Sequence, residues 1–300
     1  MIAVDSDMNS DTPYDGLADE HSDDARWAFG TGFTDALAGV DTAVPEGVDG
    51  QALAAYCLML GDDSLIYSHR LQEWITRAPE LEEETALANV ALDLLGQARM
   101  LLARAGRADG TERDEDSFAF FRDEHEFRNA RLVERLDTDF AQLVGRLLVF
   151  ASYRLALFDA LRTTADPVLA AIATKGVNEL SYHRDYAAQW VVRLGDGTDL
   201  SRQRMQAGLD VIWPLVDELF VPHSVEAALP GVAPDVRDLR TEVDVVLDTV
   251  LATAGLRRPD ARPMATVRGR AGRDGVHTEA FGYLLAQMQS VARAHPDATW

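Results

Sequence analysis

The sequence predicts an all-α protein: a bundle of four long helices with further helices at its C-terminal end. Two observations carry this expectation. Apolar residues recur with the helical period over four long stretches, and proline or glycine falls between them. No alternation of polar and apolar residues lasts long enough to build a sheet.

The first stretch is read as a helix over 51–77, with Leu53, Cys57, Leu60, Ser64, Tyr67, Leu71 and Trp74 on one stripe and Pro79 beyond its end. The second, 80–105, opens on Glu80, Glu82, Glu83 and Glu84, which suit the positive end of a helix, and closes on Arg104, Gly106 and Arg107. An irregular aromatic stretch follows, with Phe118, Phe120, Phe121 and Phe127. The third helix, 138–164, carries Phe140, Leu143, Leu147, Phe150, Phe158 and Leu161. Asp166-Pro167 starts the fourth, whose stripe is Val168, Ile172, Gly176, Glu179, His183, Trp190 and Leu194 before Gly195 and Gly197. Shorter helices are expected near 199–219, 234–254 and 278–293, the last after an Arg/Gly loop at 257–277. Two long helix pairs separated by a longer connection give the up-down layout of ferritin-like bundles. The folded domain is expected over 49–300, after an acidic and disordered extension, 1–48, in which Trp27, Phe29 and Phe33 could still dock.

The charge is extreme, with a net −22 from 50 acidic and 28 basic residues, and Lys175 is the only lysine. Such a surface repels nucleic-acid phosphates and anionic membranes. Adaptation to a salty cytoplasm explains the pattern, and so does a bias toward Arg and Asp. No apolar run approaches the roughly 20 residues that span a bilayer, and the acidic start does not read as a signal peptide. Cys57, the one cysteine, reads as a buried thiol. A cytoplasmic protein is expected.

A bundle of this kind suggests one test. Di-iron carboxylate bundles draw a Glu from each of two helices and a Glu-x-x-His from each of the other two, because residues three apart face the same axis. No Glu-x-x-His occurs here. Glu179 and His183 stand four apart, with Tyr182 where the histidine belongs; Asp93 is followed by Gly96 and Gln97; His69 and Glu73 are again four apart. Degenerate metal-ligand candidates are therefore His69, Glu73, Asp93, Glu179 and His183, each with a plainer reading as a surface acid or a satisfied core histidine. Arg154, mid-stripe on the third helix, would oppose a cation, and with Asp93, Glu179 and His183 it reads as a structural polar centre. In the Arg/Gly loop, Arg268, Arg270, Arg273 and His277 are candidates for docking an acidic partner or for contacting a CoA-type anion. Asp274 and His277 have metal-like spacing, but the glycine-rich loop speaks against a site. No P-loop, dinucleotide fingerprint or nucleophile elbow is present.

The segments LMLGDDSLIYSHRLQEW (58–74), APELEEETALANVALDLLGQARMLL (78–102), DPVLAAIATKGVNELSYHRDYAAQWVVRLGDGTD (166–199) and GVHTEAFGYLLAQMQ (275–289) resemble the C-subunit family of bacterial phenylacetyl-CoA epoxidases, ring 1,2-monooxygenases of phenylacetate catabolism. The resemblance covers about 52–300. It implies a ferritin-like fold, no catalytic residue and no cofactor in this chain, and a catalytic A subunit that holds the di-iron site. It further implies a small bridging B subunit and an iron–sulfur flavin reductase. Two other readings stay open on the residues alone: a self-sufficient ferritin-like oxygenase or ferroxidase, and a helical binding module of another pathway.

Overall fold

The structure is a computed structural model and describes residue 37 and residues 39–298. The acidic run at 1–25 and Trp27, Phe29 and Phe33 lie outside the described residues. All the elements below belong to one compact unit that begins at Gly39. Four long helices form the bundle: α1 (Gly50–Gln72), α2 (Leu81–Ala108), α5 (Phe140–Leu161) and α6 (Pro167–Gly195). Between the pairs lie α3 (Glu115–Phe120) and α4 (Arg131–Glu134); after them come α7 (Asp199–Ile212), α8 (Ser224–Ala227), α9 (Arg240–Thr253) and α10 (Glu279–Ala294). Among the described residues there is no strand, only an isolated bridge between Val267 and Arg270. The ferritin-like, all-α reading is the fold observed.

Each of three long helices starts where a side chain supplies the missing acceptor. Asp49 accepts from Gln51 N at 2.9 Å, Asp139 from Ala141 N at 2.8 Å, and Asp166 from Leu169 N at 2.8 Å with Pro167 in the first turn. Each such cap stabilises a helix by about 1 kcal/mol. The boundaries differ from the expected ones where tertiary contacts intervene. α1 ends at Gln72, five residues short of the expected end at Arg77, and Trp74 turns in toward Phe140, ring centroids 6.2 Å apart. α7 stops at Ile212 because Pro214 has no amide hydrogen to continue the ladder; two 3-10 turns carry the chain on to Phe220. The aromatic stretch folds into α3 and a single 3-10 turn, burying Phe118 and Phe127.

α1 packs chiefly on α2, and α5 on α6; α2 meets α6 more lightly. Across the bundle, Tyr67 of α1 meets Phe150 of α5 edge-on at 4.8 Å. α5 is further covered by α7 and α9, and α1 by α4 and α8. Contrary to the expectation from apolar runs, two helices, α2 and α5, are long and apolar enough to cross a membrane by length and composition. In α5, 83% of the apolar window is buried inside the protein, so its hydropathy is that of a core helix. In α2 the figure is 44%, and Leu92 is among the apolar residues left exposed. The sequence places residues 41–48 in the extension, yet the carbonyls of Thr42 and Ala43 accept from the buried Arg104 at 2.5 and 3.3 Å. The body therefore starts earlier than residue 49.

Candidate functional site: a closed bundle interior and an open helix face

The candidate residues on α2 and α6 meet along the seam between these helices. His183 is buried, and its Nε2 donates to Asp93 Oδ2 at 2.9 Å. One turn away, Gln97 Nε2 donates to Glu179 Oε2 at 3.0 Å, while Lys175 Nζ lies 3.1 Å from the other oxygen. His69 and Glu73 are elsewhere, at the end of α1. Arg70 Nη1 holds Glu73 at 2.6 Å, and burial, aided by the Arg70 charge, pushes the His69 imidazole below its usual range. The five degenerate ligand candidates thus fall in two separate places, the α2–α6 seam and the end of α1. Among the described residues, no three His, Cys, Asp or Glu side chains converge as a metal site would require.

Arg154 does not join Asp93, Glu179 and His183, so the expected single polar centre is two. Its Nη2 donates to Leu60 O at 2.8 Å and Ser64 Oγ at 3.0 Å, its Nη1 lies 3.8 Å from Asp63, and its guanidinium stacks 4.4 Å from the Phe158 ring. The reason is helical register. Arg154 and Phe158 are one turn apart on α5 and share a face, and that face meets the Leu60–Ser64 turn of α1. Desolvation lowers the Arg154 pKa to about 10, with Asp63 opposing the shift. The Phe158 ring occupies the space beside α6 that Gly176 leaves open: a Cβ at Gly176 would lie 2.6 Å from it. A di-iron cluster needs a cavity lined by carboxylates and imidazoles. Here the bundle interior presents a guanidinium, a phenyl ring and already-paired acids, and these residues do not fit the cluster.

Sequence reasoning missed the main electrostatic feature. Asp62 and Asp63, fully buried at the centre of α1, are anchors for the rest of the chain. Asp62 takes two bonds from Arg122 and one from the Arg128 amide at 2.8 Å. Asp63 takes a bidentate grip from Arg273, at 2.9 and 2.7 Å, and the Ala130 amide at 2.8 Å. Arg104–Asp166 and Arg146–Asp137 are further buried pairs. Glu134, buried beneath α10, accepts from Thr278 N at 2.9 Å and faces His277 Nδ1 at 3.1 Å. Burial pushes its carboxyl above the usual range, and His277 opposes that shift. One signal was available: an Asp-Asp doublet inside the run LMLGDDSLIY has no solvent-facing register that accommodates both residues.

This network corrects the reading of the Arg/Gly loop. Arg273 and His277 are not surface contacts: Arg273 is spent on Asp63, and the His277 side chain is fully buried, with Nε2 on Phe127 O at 3.1 Å. Asp274 lies 3.3 Å from His223 Nε2, apart from His277. Arg270 reaches Asp274 O at 2.6 Å from an exposed position, and Arg268 is exposed.

The open face of the bundle lies on α2 and α6. Leu92 is 56% exposed and Tyr182 54%, each next in sequence to a member of the Asp93–His183 pair. Toward one end, Glu83 Oε2 accepts from both Tyr186 Oη at 2.5 Å and Trp190 Nε1 at 2.8 Å. Leu92 and Tyr182 thus leave apolar side chains exposed on α2 and α6.

Fold and interior together define an all-α, ferritin-like bundle with buried ion pairs in its core. A family model described as "Phenylacetic acid catabolic protein" matches residues 40–300. The C-subunit of 1,2-phenylacetyl-CoA epoxidase from Escherichia coli (strain K12) is 42% identical over 250 residues, covering 83% of this chain and 99% of that protein. The chain belongs to the phenylacetic acid catabolic protein family.

Proposed function

We propose that the chain is a non-catalytic, cytoplasmic subunit of a phenylacetyl-CoA ring 1,2-epoxidase in phenylacetate catabolism. In this reading it binds and stabilises a catalytic ferritin-like A subunit that holds the di-iron centre, within an assembly that includes a small B subunit and a reductase. The likeness to an epoxidase C-subunit supports the complex. One observation carries the non-catalytic role: Phe158 and Arg154 occupy the bundle interior where ligands would have to converge. The chain's own residues then position a neighbour rather than a substrate. The α2–α6 seam supports that use, because Leu92 and Tyr182 stand exposed on helices that are packed against α1 and α5 on other sides.

The test is co-production of the tagged chain with the candidate A subunit. Recovery of a stable pair, with oxygenase activity that requires both chains, is the expected result. Activity from this chain alone would contradict the proposal.

A further inference from the structure

The net charge of −22 makes one surface feature stand out: a hairpin, residues 262–271, whose basic side chains are not all spent. Most arginines elsewhere are held by a carboxylate, a carbonyl or an aromatic ring; Arg258, for example, is shared by Asp244 and Asp248. Arg262 and Arg268 have no ion pair or hydrogen bond among the described residues. Every residue from Arg262 to Arg270 is exposed, including Met264 and, at 58%, Val267.

The hairpin is held firmly at both feet. Arg131 binds Glu218 at 2.6 Å and donates to Ala265 O at 2.8 Å; Gly272 N donates to Glu218 Oε1 at 3.2 Å. Beyond the second foot, Arg273 is locked on Asp63. The tip closes through the Val267–Arg270 bridge, with Arg268 at φ +56° and Gly269 at φ +81°. Glycine favours that conformation and arginine does not, so the fold keeps an arginine where glycine would be easier.

We propose that this hairpin is a docking finger for an acidic groove on a second protein chain of the assembly. The proposal rests on the subunit reading above. Arginine beside exposed apolar groups, pre-organised on a rigid base, is the composition of an interface anchor. A small phosphorylated ligand is a poorer fit, because such ligands bind in concavities and every residue from Arg262 to Arg270 is exposed. Two surface clefts lie elsewhere, one between α7 and residues 255–257, the other against α10. A nucleic acid or an anionic bilayer would meet the acidity of the remaining surface.

The experiment compares full-length wild type, R262E/R268E and R268G, each co-produced with the other subunits and sized at low and high salt. The double variant is expected to weaken assembly about ten-fold at low salt, the range for a charge-complementary contact. R268G is expected to weaken it while melting at the same temperature or higher, since glycine relieves the turn. If wild type assembles and both variants assemble equally well, the docking finger is overturned and the subunit reading survives. If wild type assembles with none of the other subunits, both fall. Coenzyme A is titrated in parallel onto the free chain; binding that the double variant loses would overturn the protein occupant in favour of a phosphate ligand.

Discussion

At the scale of single residues, Asp63 carries the most weight, because two arginines and a backbone amide converge on it in the interior. Removing one member of a buried ion pair leaves the other charge uncompensated, at about 3–5 kcal/mol. Asp63→Asn is therefore expected to lower stability by that order in chemical denaturation; a loss below about 1 kcal/mol would show that Asp63 is not the anchor described. Gly176→Ala tests the closed interior. The new methyl group meets the Phe158 ring, and overpacking of this kind costs about 1–3 kcal/mol. Adding Phe158→Leu should recover part of the loss, measured as a double-mutant cycle. Burial pushes the Cys57 thiol well above its ordinary range, so a thiol reagent should modify it only as the protein unfolds. Rapid labelling of the native chain at neutral pH would contradict its position in the α1–α2 core. These partners were poorly legible in sequence. Asp62 and Asp63 recruit Arg122 and Arg273 from segments 60 and 210 residues away, and no local spacing encodes such distances.

Among elements, the long helices were legible because each carries its own apolar stripe and most carry a start signal. Asp139 and Asp166 cap α5 and α6 as local rules require. The ends were less legible, since α1 and α7 stop where Trp74 and Pro214 answer to tertiary packing and to a missing amide. The seam between α2 and α6 was half legible. Helical register brings Asp93 to His183 and Gln97 to Glu179, whereas Arg154, expected there, faces α1. The outward face of the same two helices carries a separate expectation. L92E/Y182E should leave the circular dichroism and melting temperature of the isolated chain nearly unchanged, because both side chains are more than half exposed. The same variant should abolish pairing with the A subunit. Unaltered pairing would move the interface to another face.

For the whole molecule, charge and closure set the behaviour. A net −22 repels itself at low ionic strength, and screening shortens to about 3 Å in molar salt. The melting temperature should rise from low salt to molar KCl; a midpoint that does not move would remove salt adaptation as the reason for the acidity. Closure of the interior is the central claim, and metal content tests it most directly. The purified chain, produced in iron-replete cells and assayed by elemental analysis and visible absorption, is expected to hold far less than one iron per chain and to show no ligand-to-metal band. About two irons per chain with such a band, the loading of a working di-iron bundle, would contradict the account.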